Sequence, residues 1–187
     1  MADEHIQFRL RTDRHNWRMP TEMETDKPAT AAPLVRPTDG LLTEKSVFAP
    51  VYRDDFNNDE AEFACYLDEQ KALKWWHRNV AKTGDYFLQG WRKYRVYPDF
   101  LFALQQSKGV SRIFVWEMKG DQLDGNLDTA YKRKLIQTMS ANYRFENVTV
   151  AGKLELVLDD KTMIACDLVL MSEWKAKVPT VIQVATQ

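Results

Sequence analysis

The stretch Tyr97-Pro-Asp-Phe-Leu-Phe-Ala-Leu104 is followed, after a polar turn, by Ser111-Arg-Ile-Phe-Val-Trp-Glu-Met-Lys-Gly120. Both are apolar runs of strand length, and side chains alternate between the two faces of a strand. In the second run this alternation puts Glu117 and Lys119 on one face. If the two strands pair, Asp99 lies across from Glu117. The sequence therefore predicts that two carboxylates and a lysine share one small volume.

This grouping of charges favours a hard divalent cation. Magnesium takes oxygen ligands from one or two carboxylates and fills its remaining positions with water and substrate phosphate. Both acids lie in runs so apolar that their strands are predicted to be central, where ionised groups need compensation. The competing interpretation is an exposed Glu/Lys pair on a strand edge. The favoured one is metal-assisted hydrolysis of phosphodiester bonds, with Mg²⁺ as cofactor and Mn²⁺ as a substitute.

The order of the predicted elements indicates the fold class. A helix, several strands, a second helix and further strands predict an α/β or α+β domain, with a central mixed sheet flanked by helices. Frequent prolines between residues 27 and 40 disfavour regular structure. Residues 1–45 are therefore predicted to form N-terminal strands and a proline-containing linker or arm, and residues 46–187 the main domain. The predicted strands cover residues 5–10, 16–22, 72–80, 86–88, 97–104, 111–119, 154–158 and 162–171, and the predicted helices cover residues 58–70 and 127–141.

Composition and charge narrow the function class. The 187 residues, 44% of them hydrophobic, suffice for one full core. The net charge of −1 hides a basic segment, because residues 71–95 carry seven lysines and arginines against one acid, Asp85. This segment is predicted to meet a polyanion. Two separated cysteines argue against a disulfide scaffold or a zinc site, and the lack of a long apolar run predicts a soluble, cytoplasmic protein without a membrane partner.

Several motifs together resemble a known nuclease family. They look like the endonuclease domain at the C-terminal end of type III restriction enzyme subunits and related helicase-nucleases, within the PD-(D/E)xK, or restriction-endonuclease-like, superfamily. The similarity covers roughly residues 56 to 140, and the run from Trp75 to Asn79 is its most particular part. The motifs are Glu60-Ala-Glu-Phe-Ala-Cys-Tyr-Leu-Asp68, Lys74-Trp-Trp-His-Arg-Asn79, Tyr97-Pro-Asp-Phe100, Glu117-Met-Lys-Gly120 and Asp128-Thr-Ala-Tyr-Lys132.

The resemblance implies a restriction-endonuclease-like sheet, metal-dependent cleavage of DNA and an ATP-driven motor as part of a restriction system. It identifies Asp99 and Glu117 as the metal-binding carboxylates, with the Met118 carbonyl as a further ligand, and Lys119 as the catalytic lysine. No G-x-x-x-x-G-K-[ST] stretch occurs in this chain, so the motor would be a partner or another part of a longer polypeptide, unless the domain works unaided.

A further acid is predicted on the first helix. Asn57 or Asn58 can cap this helix, and Glu60 falls on the same stripe as Phe63 and Leu67, at helical spacing. An acid on an inward face has either a partner or a function, and an ordinary first-turn acid is the alternative interpretation. By resemblance, Glu60 corresponds to the helix acid near the metal. Glu62, which points elsewhere, is the competing assignment.

The basic residues of the nuclease-like region are predicted to contact DNA phosphates. The tryptophans at 75, 76 and 91 are predicted mainly as core residues, with base stacking as the alternative. His77 is predicted to be hydrogen-bonded within its strand, with general-base catalysis as the alternative. A catalytically inactive DNA-binding or assembly module with the same fold is the rival function. The predicted DNA contacts are Arg78, Arg92, Lys93, Arg95 and Lys132.

Overall fold

A computed structural model of the chain describes residues 22, 23, 25–81, 86–105, 111–142 and 163–186. Over these residues the protein has a mixed four-stranded sheet and three helices, which confirms the α+β class. The strands are β1 (Leu73–Arg78), β2 (Phe100–Gln105), β3 (Ser111–Lys119) and β4 (Met163–Leu170), and the helices are α1 (Asn58–Glu69), α2 (Leu127–Asn142) and α3 (Trp174–Thr186).

The strands lie in the order β1, β2, β3, β4. The first three are antiparallel neighbours, whereas β4 runs parallel to β3. A parallel pair needs a crossover, and α2 lies in the segment that joins these two strands. β2 begins at Phe100, three residues after the predicted start. Pro98 has no N–H to give to a ladder, and the Asp99 side chain accepts a hydrogen bond from the Met118 N–H.

The two faces of the sheet bury separate apolar cores. On one face, the ring centroid of Phe63 in α1 lies 4.8 Å from that of Phe100 and 5.6 Å from that of Trp116. On the other face, Leu135 of α2 and Val115 of β3 belong to a second buried cluster. The side chains of β3 therefore alternate between two cores, as the two-residue period predicted.

Residues 33–47 lie along α1 and the outer edge of β1. Trp76 N donates a hydrogen bond to the Lys45 carbonyl at 2.9 Å, and Val47 N donates to the Trp76 carbonyl at 2.8 Å. Leu34, from the same segment, is buried in the core beneath α1. These contacts favour the wrapped arm over the linker as the interpretation of this segment. The arm extends the edge of the sheet and covers its unpaired backbone groups.

The C-terminal helix is a structural element that the sequence did not predict. α3 contains Pro179, and an interior proline costs about 3 kcal/mol because it removes a helix hydrogen bond. Burial of Trp174 and Val178 in the core beside α1 offsets this cost. Within the described residues, no helix combines the length and the apolar character that crossing a bilayer requires.

The strand predicted over residues 86–88 is wrong. Leu88 and Val96 exchange two backbone hydrogen bonds, of 2.7 and 2.9 Å, which close a loop without starting a ladder. The strand predicted over residues 162–171 is present as β4. The strands predicted over residues 5–10 and 154–158, and all but the last residue of the one over residues 16–22, lie outside the described residues.

His77 of β1 is a buried histidine beside a cavity. Its side chain is 2% exposed and lines a cavity of about 610 Å³ between the arm and the sheet. The ring lies edge-on to Phe48, with centroids 5.4 Å apart, and Nε2 has no hydrogen-bond partner among the described residues. Burial, followed by the charge of Arg78, lowers the pKa of His77 to about 4. The folded protein therefore holds this imidazole neutral.

We expect His77→Gln to make the protein more resistant to acid. The unfolded histidine titrates at about 6.5 and the folded one at about 4. The unfolded chain therefore binds the extra proton, and stability is lost as the pH falls through this window. Between about pH 7.5 and about pH 4, the wild type should lose about 3 kcal/mol relative to the variant. Urea unfolding across this range measures the difference, since other titrating groups contribute equally to both proteins. An identical pH dependence of the two would contradict the assignment.

Candidate active site

Asp99 and Glu117 lie across from each other at one end of the sheet. Phe100 pairs with Trp116 between β2 and β3, and the two acids are the next residues along these antiparallel strands. Asp99 Oδ2 also accepts a hydrogen bond of 2.7 Å from the backbone N–H of Met118. The structure therefore brings together the two carboxylates that the sequence predicted to meet.

Glu117 is the most deeply buried acid of this group, at 2% exposure. Its Oε1 atom accepts a hydrogen bond from Lys132 Nζ at 2.7 Å and forms an ion pair with Lys119 Nζ at 3.1 Å. Its Oε2 atom is buried and has no hydrogen-bond partner in the part of the chain that the structure describes. A buried carboxylate oxygen without a partner is costly, and such atoms are rare in native proteins. Glu117 therefore offers one buried anionic oxygen to a cation.

Asp99 is partly buried beside these charges, and they shift its pKa. Burial raises the pKa of Asp99 to about 7, and the negative charge of Glu117 adds to the effect. The hydrogen bond from Met118 opposes the rise, the charge of Glu60 adds to it, and the charge of Lys119 opposes it. Two carboxylates that share a site in this way disfavour simultaneous ionisation unless a cation lies between them. Strong perturbation of this kind is typical of functional sites.

Lys132 belongs to this cluster, although the sequence assigned it to DNA contact. It projects from α2, where it also lies 3.7 Å from Asp128, one helical turn earlier. Burial alone would lower the pKa of Lys132, but the negative charge of Glu117 and the hydrogen bond to it outweigh burial and raise it. The position of α2 over the sheet sets this contact. No local spacing in the sequence reports that position.

Glu60 has the partners expected of a first-turn acid. It forms a capping box with Asn57: Glu60 N donates to Asn57 Oδ1 at 2.9 Å, and Asn57 N donates to Glu60 Oε2 at 3.0 Å. Arg78 Nη2 donates to both carboxylate oxygens at 3.2 Å. Arg78, predicted to contact DNA, is thus engaged within the protein. Glu60 is nevertheless near enough for its charge to raise the pKa of Asp99.

Glu62, the competing helix acid, lies on the surface. Its carboxylate pairs with Lys175 Nζ at 2.7 Å, and both side chains are about half exposed or more. Of the two helix acids, Glu60 is the one whose charge acts on Asp99. The geometry therefore favours Glu60 as the acid that flanks the site.

The carboxylate oxygens of this cluster match the smallest set of protein ligands that a divalent cation requires. Among the described residues, no three acidic, histidine or cysteine side chains form a group that could hold a metal. Magnesium requires only one or two carboxylates when water and phosphate complete its shell. Asp99 and the Oε2 atom of Glu117 supply such a pair, because the two lysines bind the other oxygen of Glu117. The backbone N–H of Met118 contacts Asp99. That the Met118 carbonyl binds the metal stays a prediction.

Arg92, Lys93 and Arg95 lie in the loop that Leu88 and Val96 close, and all three are exposed. An exposed cluster of cations suits contact with phosphates. Their assignment to DNA binding stays a prediction.

The resemblance to type III restriction endonuclease domains rests on the sequence motifs alone. Comparisons of the chain with models of protein families, with curated proteins and with solved structures found no match.

Proposed function

We propose that this protein is a Mg²⁺-dependent DNA endonuclease with a restriction-endonuclease-like fold, in which Asp99 and Glu117 hold the ion and Lys119 assists at the phosphate. The observation that carries the proposal is the buried Oε2 atom of Glu117, which has no partner in the described residues and belongs to the same cluster as Asp99. The motif resemblance supports a cytoplasmic restriction system with an ATP-driven motor as partner.

Each residue of the cluster has a role that suits its chemistry. When bound, Mg²⁺ lowers the pKa of a coordinated water and neutralises charge on the scissile phosphate. Lys119 holds an ammonium 3.1 Å from Glu117 Oε1, and a compact point charge there stabilises negative charge that develops on phosphate oxygens. The Met118 N–H fixes the orientation of the Asp99 carboxylate.

Lys132 acts in this proposal as a positioning residue. Its 2.7 Å contact with Glu117 Oε1 fixes the side-chain rotamer that leaves Oε2 available. It also balances charge, since two lysines offset the charge of two carboxylates when both are ionised. A divalent ion would then give the site the positive charge that attracts a phosphodiester.

The second candidate function is a DNA-binding or assembly module that does not cleave. The observation that favours it is the pairing of Glu117 with both Lys119 and Lys132, because two ammonium groups neutralise a buried carboxylate without any metal. In that case Oε2 would stay without a cation, and divalent ions would have no specific site.

Titration calorimetry with Mg²⁺ and Mn²⁺ separates the two functions. We expect one saturable site in the wild type and none in Glu117→Gln, whereas Asp167→Asn should bind as the wild type does. Asp167 is a suitable control because it is a partly exposed acid on the neighbouring strand β4, opposite Trp116. Cleavage of plasmid DNA should require the ion and follow the same order of variants. Failure of the wild type to bind either ion would favour the non-cleaving module.

A further inference from the structure

We propose that Tyr94 is a stacking platform for an unpaired nucleobase, and that the DNA bound here carries unpaired nucleotides next to the candidate active site. This inference rests on the proposed function, since it takes DNA as the ligand. It adds a substrate class, namely DNA with a single-stranded or splayed segment.

Tyr94 is a large aromatic side chain left open to solvent. It is 77% exposed, the highest exposure of any aromatic residue among those described. It lies in the loop closed by Leu88 and Val96, between Lys93 and Arg95. An exposed aromatic ring among cations combines the two features of single-strand binding surfaces, which are base stacking and backbone attraction.

The surrounding loop is anchored, so the exposure of Tyr94 does not follow from a loose backbone. The guanidinium of Arg92 lies 4.2 Å from the ring centroid of Tyr131, and that of Arg95 lies 4.0 Å from the centroid of Phe87. Trp91 packs edge-on against Tyr131 at 5.0 Å. The neighbours of Tyr94 thus each pack on an aromatic ring, and Trp91 is only 38% exposed against 77% for Tyr94.

A close contact fixes the start of the same loop. A Cβ atom placed on Gly90 would collide with the hydroxyl of Tyr131, so only glycine lets the backbone approach α2 at this point. Gln89 Nε2 bonds the carbonyls of Gly90 and Arg92, at 3.1 and 2.9 Å. The loop that carries Tyr94 therefore packs against α2 at Gly90.

A chain of ion pairs connects this loop to the candidate active site. Arg92 Nη1 lies 3.9 Å from Asp128, Asp128 lies 3.7 Å from Lys132 Nζ, and Lys132 Nζ lies 2.7 Å from Glu117. The basic loop and the carboxylate pair are therefore linked through α2, with Asp99 partly exposed and Glu117 buried. DNA held by the loop would lie next to this end of the sheet.

The chemistry favours an unpaired base over a duplex. Within a duplex the flat faces of the bases are covered by their neighbours, so an exposed ring can touch phosphates, sugars and base edges but cannot stack on a base. An unpaired base presents an open face, and stacking on an aromatic side chain is tolerant of sequence. The exposed cations beside Tyr94 suit the phosphates of that same strand.

Fluorescence anisotropy in EDTA, which prevents cleavage, tests the inference. The probes are a blunt duplex, the same duplex with a single-stranded tail, and the same tail made of abasic nucleotides. We expect the wild type to bind the tailed duplex about tenfold more tightly than the blunt one. Tyr94→Ala should lose this preference and Tyr94→Phe should keep it, whereas the abasic tail should not restore it. Leu41→Ala, an exposed apolar residue on the arm, is the control that should behave as the wild type does.

The outcomes distinguish a failure of base stacking on Tyr94 from a failure of the proposed nuclease function. Arg92→Ala should weaken binding to all three probes with a shallower salt dependence, because it removes a phosphate contact. If Tyr94→Ala keeps the preference for the tail, or the wild type binds all three probes equally, the stacking role is wrong while DNA binding stands. If the wild type binds none of them, the stacking role is wrong, and cleavage of plasmid DNA in Mg²⁺ tests the proposed function separately.

Discussion

Asp99→Asn is expected to reduce Mg²⁺-dependent cleavage of DNA by at least about a hundredfold, since losing even an outer partner of a metal ligand costs about 10- to 100-fold. The amide lacks the negative charge that the ion needs. Its oxygen can still accept the 2.7 Å hydrogen bond from the Met118 N–H, so the end of the β2 strand should keep its geometry. DNA binding should be unchanged or slightly tighter, because one negative charge facing phosphate is removed.

The measurement is a cleavage time course with anisotropy binding on the same preparations. Asp167→Asn removes the same charge from β4 and should cleave as the wild type does. The Asp99→Asn protein should unfold in urea at the wild-type midpoint or above it, because it loses a buried charge beside Glu117. Cleavage at the wild-type rate by Asp99→Asn would refute the metal-ligand assignment.

Elements with strong local signals could be predicted from the sequence. β3 occupies residues 111–119, as its alternating pattern predicted. α1 and α2 begin after asparagine caps, and Asn126 Oδ1 accepts the Thr129 N–H at 2.7 Å. α3 carries the opposite local signal in Pro179, and only burial of Trp174 in the distant core compensates for it. The parallel pairing of β4 also depends on a long crossover, which no local pattern reports.

The residues of the candidate site also differ in whether the sequence alone could predict them. Asp99 and Glu117 were predictable because their strands follow each other closely in the chain, and the antiparallel register then sets which residues face each other. Lys132 reaches Glu117 only because α2 docks on this face of the sheet, so its sequence position indicated no more than a basic helix residue. The pattern of charges in the sequence predicts site residues that lie on consecutive paired strands. Site residues that a docked helix contributes can be identified only from the tertiary structure.

Asp68 is the clearest case of a residue whose role only the structure reveals. Its side chain is fully buried at the end of α1 and joins the arm to β1. It accepts hydrogen bonds from Arg36 Nη1 at 3.0 Å, Trp76 Nε1 at 2.8 Å, and the backbone N–H groups of Lys45 at 2.9 Å and Glu44 at 3.1 Å. Burial alone would raise the pKa of Asp68, but these hydrogen bonds together outweigh it and lower the pKa. The carboxylate therefore stabilises the fold as an anion.

Asp68→Ala is expected to lower the free energy of unfolding by about 3–5 kcal/mol, because Arg36 Nη1, Trp76 Nε1 and the backbone N–H groups of Glu44 and Lys45 lose the carboxylate that they share. Asp39 still binds the other two guanidinium nitrogens of Arg36. Asp59→Ala, an exposed acid in the first turn of the same helix, should cost no more than about 1 kcal/mol. Urea unfolding at neutral pH measures both. A loss for Asp68→Ala as small as that for Asp59→Ala would mean that the arm does not depend on this carboxylate.

The pH dependence gives an independent test of the same contact. Because the folded pKa of Asp68 lies below its ordinary value of 3.8, the carboxylate stabilises the protein above that value, and this contribution is lost as the pH falls through the folded pKa. The wild type should therefore approach the stability of Asp68→Ala only in acid below about pH 4. Packing loss alone would leave the difference between the two proteins unchanged across the same range. A difference that narrows in acid thus identifies the charge, rather than the volume of the side chain, as what holds the arm against α1 and β1.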